Sequence, residues 1–396
     1  MKKRIDWSVR RGDIMLAGDH VNLNAGTLSP TPRVVFQRAE ELRQRQASAP
    51  SAFFFDESKP LIAQSRAALA KFIGGADGDV FLLPNVTNAM NVVAHSLPLG
   101  PGDEIVLTDA EYGATRLMWE SIATSRGASI RTITLPIPAM NASEIVRLFK
   151  AAISPRTRVV FFSHITSATG LRLPAREIVH ATKARNIFVV IDGAHAPGAI
   201  DVDVESIGAD AYGANAHKWM MGPTGVGFLH ASARMKRLLV PRMVGWGEDG
   251  FAIASMNKPL PRALHHGTRL QFRLEYLGVA DRVPQMVLPE VIDFINRLGV
   301  SNIRMRQAEL VDYTIQALAE CGLNSASSND DELSSPMLIF PIKTPRVQET
   351  LWKKHRIQCP VTHAAGRSFV RVSCAWWNTK DDIDVLASAL KQMRVK

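Results

Sequence analysis

The segment YGANAHKWMMGPTGVG, residues 212–227, carries a single lysine, Lys218, set directly after His217 and ahead of a glycine-rich run. Small and apolar residues surround it, as in an interior segment. An amine held in a dry site loses part of its proton affinity and can condense with a carbonyl; a surface lysine is the plain alternative. Asp192 closes the apolar run IFVVID 26 residues earlier and is followed by GAHAPG, which holds His195. A carboxylate at the end of a buried strand is costly unless it meets a cation, although a helix cap would also use one. Asn85, Val86, Thr87 and Asn88 follow DVFLLP and open a helix. Backbone N–H groups there, with the Thr87 and Asn88 side chains, form a cradle for an anion; plain helix caps look the same. The run GPTGVG is not a Walker A loop, because no Lys-Ser/Thr pair ends it. Its glycines let backbone approach a neighbouring chain or a ligand closely. An amine for an aldehyde, an acid for a ring nitrogen, a phosphate cradle and a ring to stack against are what pyridoxal 5′-phosphate asks of a protein.

Positioning such groups takes a sheet, because ligands of α/β proteins sit at the carboxyl ends of strands. Short apolar runs alternate with helix-length amphipathic segments along the first two-thirds of the chain. Residues 79–84, 103–109, 129–135, 158–165 and 187–192 read as strands, their Val, Ile, Leu and Phe suiting burial on both faces. Residues 88–96, 114–126, 143–152 and 175–185 read as the helices between them, and 225–230 as one more strand. The expected fold is therefore α/β, a mostly parallel central sheet flanked by helices. After about residue 260 the texture changes. Helical patterns over roughly 275–297 and 301–320 lead to a polar, acidic loop at 324–335. Strands at 336–342, near RIQCP and at FVRVSC, with helices at 346–355 and 380–393, predict a smaller α+β C-terminal domain. The division expected is an N-terminal arm over 1–20, a large domain over 21–270 and a small domain over 271–396.

A length of 396 residues, 46% of them hydrophobic and 21% charged, fits a soluble globular protein with a sizeable core. The net charge of +10 invites a nucleic-acid reading. The basic residues are dispersed, however, and no aromatic-interleaved basic stripe or zinc-finger pattern accompanies them, so neither nucleic acid nor membrane is expected as a partner. Three widely spaced cysteines, Cys321, Cys359 and Cys374, argue against a disulfide framework and, without a signal-like start, for the cytoplasm. No spacing of His or Cys suggests a metal site; His265 and His266 are adjacent but lack further ligands.

Read in order, NVTNAMNVVAHSL, DAEYGATRLMWE, SHITSATGLRLP, VVIDGAHAPGAIDVD, GANAHKWMMGPTGVGFLH and RVSCAWWNTKDDIDVL resemble the class-V aminotransferase family of fold-type-I pyridoxal phosphate enzymes, and within it the isopenicillin N epimerase-like branch. The resemblance runs from about Asn22 to Leu390. It implies that Lys218 carries the cofactor and later moves the Cα proton, that Asp192 pairs with the ring nitrogen, and that His195 approaches the ring's phenolic oxygen. It implies phosphate contacts from Thr87, Asn88, Asn215 and His217, and ring stacking by Tyr112. Thr268 would reach the phosphate of a partner subunit, in a homodimer with shared sites. Arg371 would grip a substrate carboxylate, with Asn24, Gly26 and Ser167 near the substrate mouth. Cysteine desulfurases, more distant relatives, use a nucleophilic cysteine on a loop before that arginine. Here the region reads RIQCPVTHAAGRSF, with Cys359 in or beside a strand, so a persulfide route is not expected. The expected activity is chemistry at Cα of an α-amino acid, epimerisation or racemisation first. C–S β-elimination or transamination are the alternatives, and a basic binding protein on the same fold is the non-enzymatic one.

Overall fold

The computed structural model describes residues 5–184, 186–243 and 267–395. Its centre is a seven-stranded sheet. The strands are β2 (Val80–Leu83), β3 (Glu104–Thr108), β4 (Ser129–Ile133), β5 (Thr157–Ser163), β6 (Phe188–Asp192), β7 (Ala211–Asn215) and β8 (Gly227–Ala231), ordered β2-β8-β7-β6-β5-β3-β4. A preceding two-residue strand, β1 (Val21–Asn22), lies elsewhere. Only β8 runs against its neighbours; the other contacts of the sheet are parallel.

Alternation along each strand divides the interior in two. Val80, Leu82, Val106, Val160 and Phe162 face one apolar core, while Phe81, Leu83, Ile105, Leu107, Val159 and Phe161 face the other. Helices such as Val86–Ser96 and Gly113–Arg126 cover the second face. The strand expected at 129–135 forms, but it is not buried on both faces. Among the described residues β4 pairs only with β3, and most of its residues are open to solvent, as befits an edge. The continuous helix expected over roughly 275–297 is also corrected. Helix Arg269–Glu275 stops, residues 276–282 leave the helix, and Val283–Met286 and Leu288–Leu298 start afresh, each with a proline in its first turn. Proline lacks the N–H that an interior turn needs, so it marks a start. Two helices that the sequence patterning did not single out, Arg33–Ser48 and Ser58–Phe72, lie before β2. The second packs against Leu288–Leu298.

The C-terminal part builds a small antiparallel sheet, β11 (Val361–Ala364), β12 (Arg367–Ser373) and β9 (Met337–Ile342), in that order. Helices Val300–Ala319 and Lys380–Gln392 pack beside it over a core of Leu310, Phe340, Val370, Val372 and Leu386. The chain start is fastened here. β1 pairs in parallel with β10 (Ile357–Gln358), Trp7 lies 5.6 Å from Trp376 between ring centroids, and Arg11 pairs with Asp382 at 3.0 Å. Residues near the start and near the end thereby meet above the carboxyl edge of the large sheet. No described helix is long and apolar enough to cross a membrane.

Candidate active site

Asp192 is the last residue of β6 and is buried. Its Oδ1 accepts the Ala194 N–H at 2.9 Å. Burial raises its pKa; that backbone bond and the Lys218 charge pull the other way. Lys218 follows β7 through Asn215, and its Nζ lies 3.0 Å from His195 Nε2. Burial brings the amine down to about 8, Asp192 opposing and Arg371 assisting. His195 is held well below its ordinary pKa, by burial first and by the Lys218 charge next, so it is a neutral imidazole. With Lys218 donating to Nε2, the ring proton sits on Nδ1. That Nδ1 is buried and has no partner among the described residues. The turn after the lysine is closed by Met221 N–H donating to Lys218 C=O at 2.9 Å, with Met221 in the left-handed region at φ 63°.

The turn expected to hold an anion is tied to Asn215, three residues before the lysine. Asn85 caps helix Val86–Ser96, its side chain accepting from Asn88 N–H at 2.8 Å. Asn215 Oδ1 accepts the Val86 N–H at 2.8 Å. Asn215 therefore pins the turn through its oxygen and keeps its amide N–H groups for another acceptor. Gly227 opens β8 against this turn; a Cβ there would lie 2.5 Å from the Asn85 backbone, so the glycine run serves a close approach of the chain to itself. His217 follows, with its Nδ1 buried and unpartnered among the described residues and its pKa brought to about 4 by burial. Its carbonyl accepts Ser29 N–H at 3.1 Å, tying the N-terminal segment over the lysine.

Arg371, on β12, is brought to the same place from the small sheet. Its Nη1 donates to Ser167 C=O at 2.6 Å, and its Nη2 to Asn24 Oδ1 at 3.1 Å and Thr27 Oγ1 at 3.3 Å. Burial brings its pKa to about 10, which leaves it charged at neutral pH. Its Nε is buried without a partner among the described residues. A Cβ on Gly26 would come 3.2 Å from Nη2, so that position must stay small. Arg371, Asn24 and Ser167 thus meet although 347 positions separate the outermost pair. Thr27 joins them and went unselected in the sequence, although it lies in the same NLNAGT stretch.

Tyr112 is the N-cap residue of helix Gly113–Arg126 and is 48% exposed, an aromatic side chain available for contact. Thr268 caps helix Arg269–Glu275 in a capping box with Gln271. Gln271 donates to the carbonyls of Asp77 and Val80, at the start of β2 and away from Asn85. Within one chain Thr268 therefore lies by the start of β2, the end of that strand opposite to Asn85. His265 and His266 lie outside the described residues. Asp79, Glu205 and His230 gather elsewhere, but Lys236 already supplies a cation to Asp79. Cys359 and Cys374 are buried, and burial pushes both thiols up to about 12. Two further buried features escaped the sequence reading. His164 Nδ1 lies 2.9 Å from Tyr212 Oη, and Glu111 sits between two hydroxyls.

A mostly parallel sheet with a buried lysine, acid and histidine at its strand ends defines a fold-type-I pyridoxal phosphate enzyme. The chain belongs to the aminotransferase class-V family, whose model matches residues 20–386. It is 38% identical over 390 residues to isopenicillin N epimerase of Streptomyces clavuligerus, covering 97% of this chain and 98% of that one. It is 36% identical over 398 residues to isopenicillin N epimerase of Amycolatopsis lactamdurans, covering 98% of each. Two solved structures of C-DES, a cystine C–S lyase, share the fold at 21% identity. One, with its product cysteine persulfide, has a TM-score of 0.82 over 94% of this chain and 98% of that one. The other, with glycine covalently linked to its PLP cofactor, has a TM-score of 0.83 over 96% and 98%. The cofactor of this chain is pyridoxal 5′-phosphate. The residues fit it: His195 Nδ1, His217 Nδ1 and Asn88 Oδ1 are buried polar atoms that find no partner among the described residues.

Proposed function

We propose that the protein acts at Cα of an α-amino acid as an epimerase or racemase. The observation that carries this reading is the end-to-end similarity to two isopenicillin N epimerases. When bound, the cofactor supplies an aldehyde for amines and a ring that accepts electrons from Cα. Lys218 would hold that aldehyde in the resting protein and, once displaced by substrate, move the Cα proton. An amine near pKa 8 is partly neutral at physiological pH and so can act as the base. Asp192 would pair with the ring nitrogen and stabilise positive charge there. His195 would orient the amine of Lys218 and donate from Nδ1 to the ring's phenolic oxygen. Thr87, Asn88, Asn215 and His217 would hold the phosphate, and Tyr112 would cover the ring. Arg371 would turn from Ser167 and Asn24 to the substrate carboxylate, a charge-assisted fork that fixes which Cα bond faces the base. Thr268 would complete the site of a second chain, making the working form a cytoplasmic homodimer.

A second reading, β-elimination at a C–S bond, draws on the cystine lyase of the same fold. It would proceed without a cysteine nucleophile, because Cys359 and Cys374 are buried with raised thiols, and Cys321 hydrogen-bonds to Ala387 C=O between helices of the small domain. Proton NMR in heavy water, over a panel of amino acids and cysteine conjugates, tests both. Loss of the Cα signal with growth of the opposite enantiomer supports the epimerase. Pyruvate and a freed thiol would replace it with the lyase.

A further inference from the structure

Glu111 precedes Tyr112 at the end of β3 and has no task in the reading above, yet it is buried. Its Oε1 accepts from Thr108 Oγ1 at 2.6 Å and its Oε2 from Ser163 Oγ at 2.7 Å. Ser163 ends β5 and stands in parallel register with Asp192 on β6. Register partners in a parallel pair project to the same face. Glu111 therefore lies on the face of the sheet, and at the end of it, where Asp192 lies. No ion pair among the described residues reaches Glu111.

We infer that Glu111 is a positioning residue of this site: it anchors the turn that presents Tyr112, and it stands beside Asp192 as a second acid that decides which carboxyl keeps the proton. The inference rests on the proposed roles of Asp192 and Tyr112. Two carboxyls in one dry site resist ionising together. Thr108 on β3 and Ser163 on β5 offer Glu111 hydroxyls, and Asp192 on β6 offers it a like charge. Burial raises both carboxyls, Glu111 to about 7; at Asp192 the Ala194 N–H and the Lys218 charge draw the group back toward the ionised form, whereas no cation faces Glu111 among the described residues. Glu111 is then the acid that keeps the proton, one of its two hydroxyl contacts reversing so that the carboxyl donates, and Asp192 would carry the charge toward the ring nitrogen.

The test is a carbon NMR titration of the full-length protein carrying carboxyl-labelled glutamate, before and after adding pyridoxal phosphate. The Glu111 signal is the one missing from Glu111→Gln. We expect a midpoint near 7 in the cofactor-free protein. Asp192→Asn removes a repelling charge and lowers it. Added cofactor, whose ring cation cancels the same charge, lowers it too. Ser163→Ala removes a donor to the anion and raises it, which keeps the test alive should Asp192→Asn misfold. A midpoint in the ordinary carboxylate range, unmoved by either substitution, overturns the inference and leaves Glu111 a structural tie. A midpoint that answers to Asp192→Asn but not to pyridoxal phosphate supports the pairing of acids and counts against the cofactor role of Asp192.

Discussion

Strand β3 carries a buried glutamate at each end, and the two are opposite in character. Glu104, at the amino end, would be raised by burial, but bonds from Ser154, Thr157 and Arg131 at 2.8, 3.0 and 3.1 Å hold it below its ordinary pKa. Glu111, just past the carboxyl end, has two hydroxyls and a neighbouring carboxylate, and is pushed up to about 7. One end of the sheet compensates its buried charge from within the chain. The other gives Glu111 no ion-pair partner and leaves Nδ1 of His195 and of His217 without a partner among the described residues, a deficit that the cofactor would fill. Perturbed groups that the chain does not compensate cluster where chemistry is done.

The comparison can be broken most severely at Lys218. Lys218→Ala should lower Cα-proton exchange roughly 10²- to 10⁴-fold, the size of a lost acid–base group, while Glu104→Gln should leave exchange per folded molecule unchanged. Heavy-water NMR on both variants checks it. The next effect is on the shape of stability against pH. Glu111 has a folded-state pKa near 7 against 4.5 ordinarily, so the folded protein binds its proton more tightly. Its contribution to stability is full below pH 4.5 and is lost as the pH rises through about 7. Relative to Glu111→Gln, the natural protein should lose at most about 3 kcal/mol across that window, measured by urea unfolding at a series of pH values. Arg371→Lys should lower kcat/KM about tenfold to a hundredfold through loss of the fork, with cofactor absorbance retained. Glu104→Gln should cost about 1–2 kcal/mol at neutral pH. The folded pKa of Glu104 is lowered, so its contribution should disappear as the pH falls through that folded value.

Much of this arrangement was legible in the sequence because strands announce their ends. IFVVID places Asp192 at a carboxyl edge by its apolar run alone, and DVFLLP does the same for Asn85–Asn88. Arg371 was legible only through family resemblance, since nothing local separates FVRVS from a surface strand. Its meeting with Asn24 and Thr27 depends on β1 pairing with β10, a contact across the whole chain. Glu111 was invisible for a different reason. Its burial comes from Ser163, 52 positions away, and a glutamate at a helix start reads as an ordinary first-turn acid. The broken helix near residue 280 was misread because apolar spacing survives the interruption, while the two first-turn prolines, Pro284 and Pro289, were the available warning.

The most direct test of the central claim is borohydride reduction of the protein loaded with pyridoxal phosphate, followed by peptide mass mapping. The account predicts loss of the yellow colour and one added pyridoxyl phosphate mass on the peptide containing Lys218. A mass gain on another lysine, or none, would contradict it.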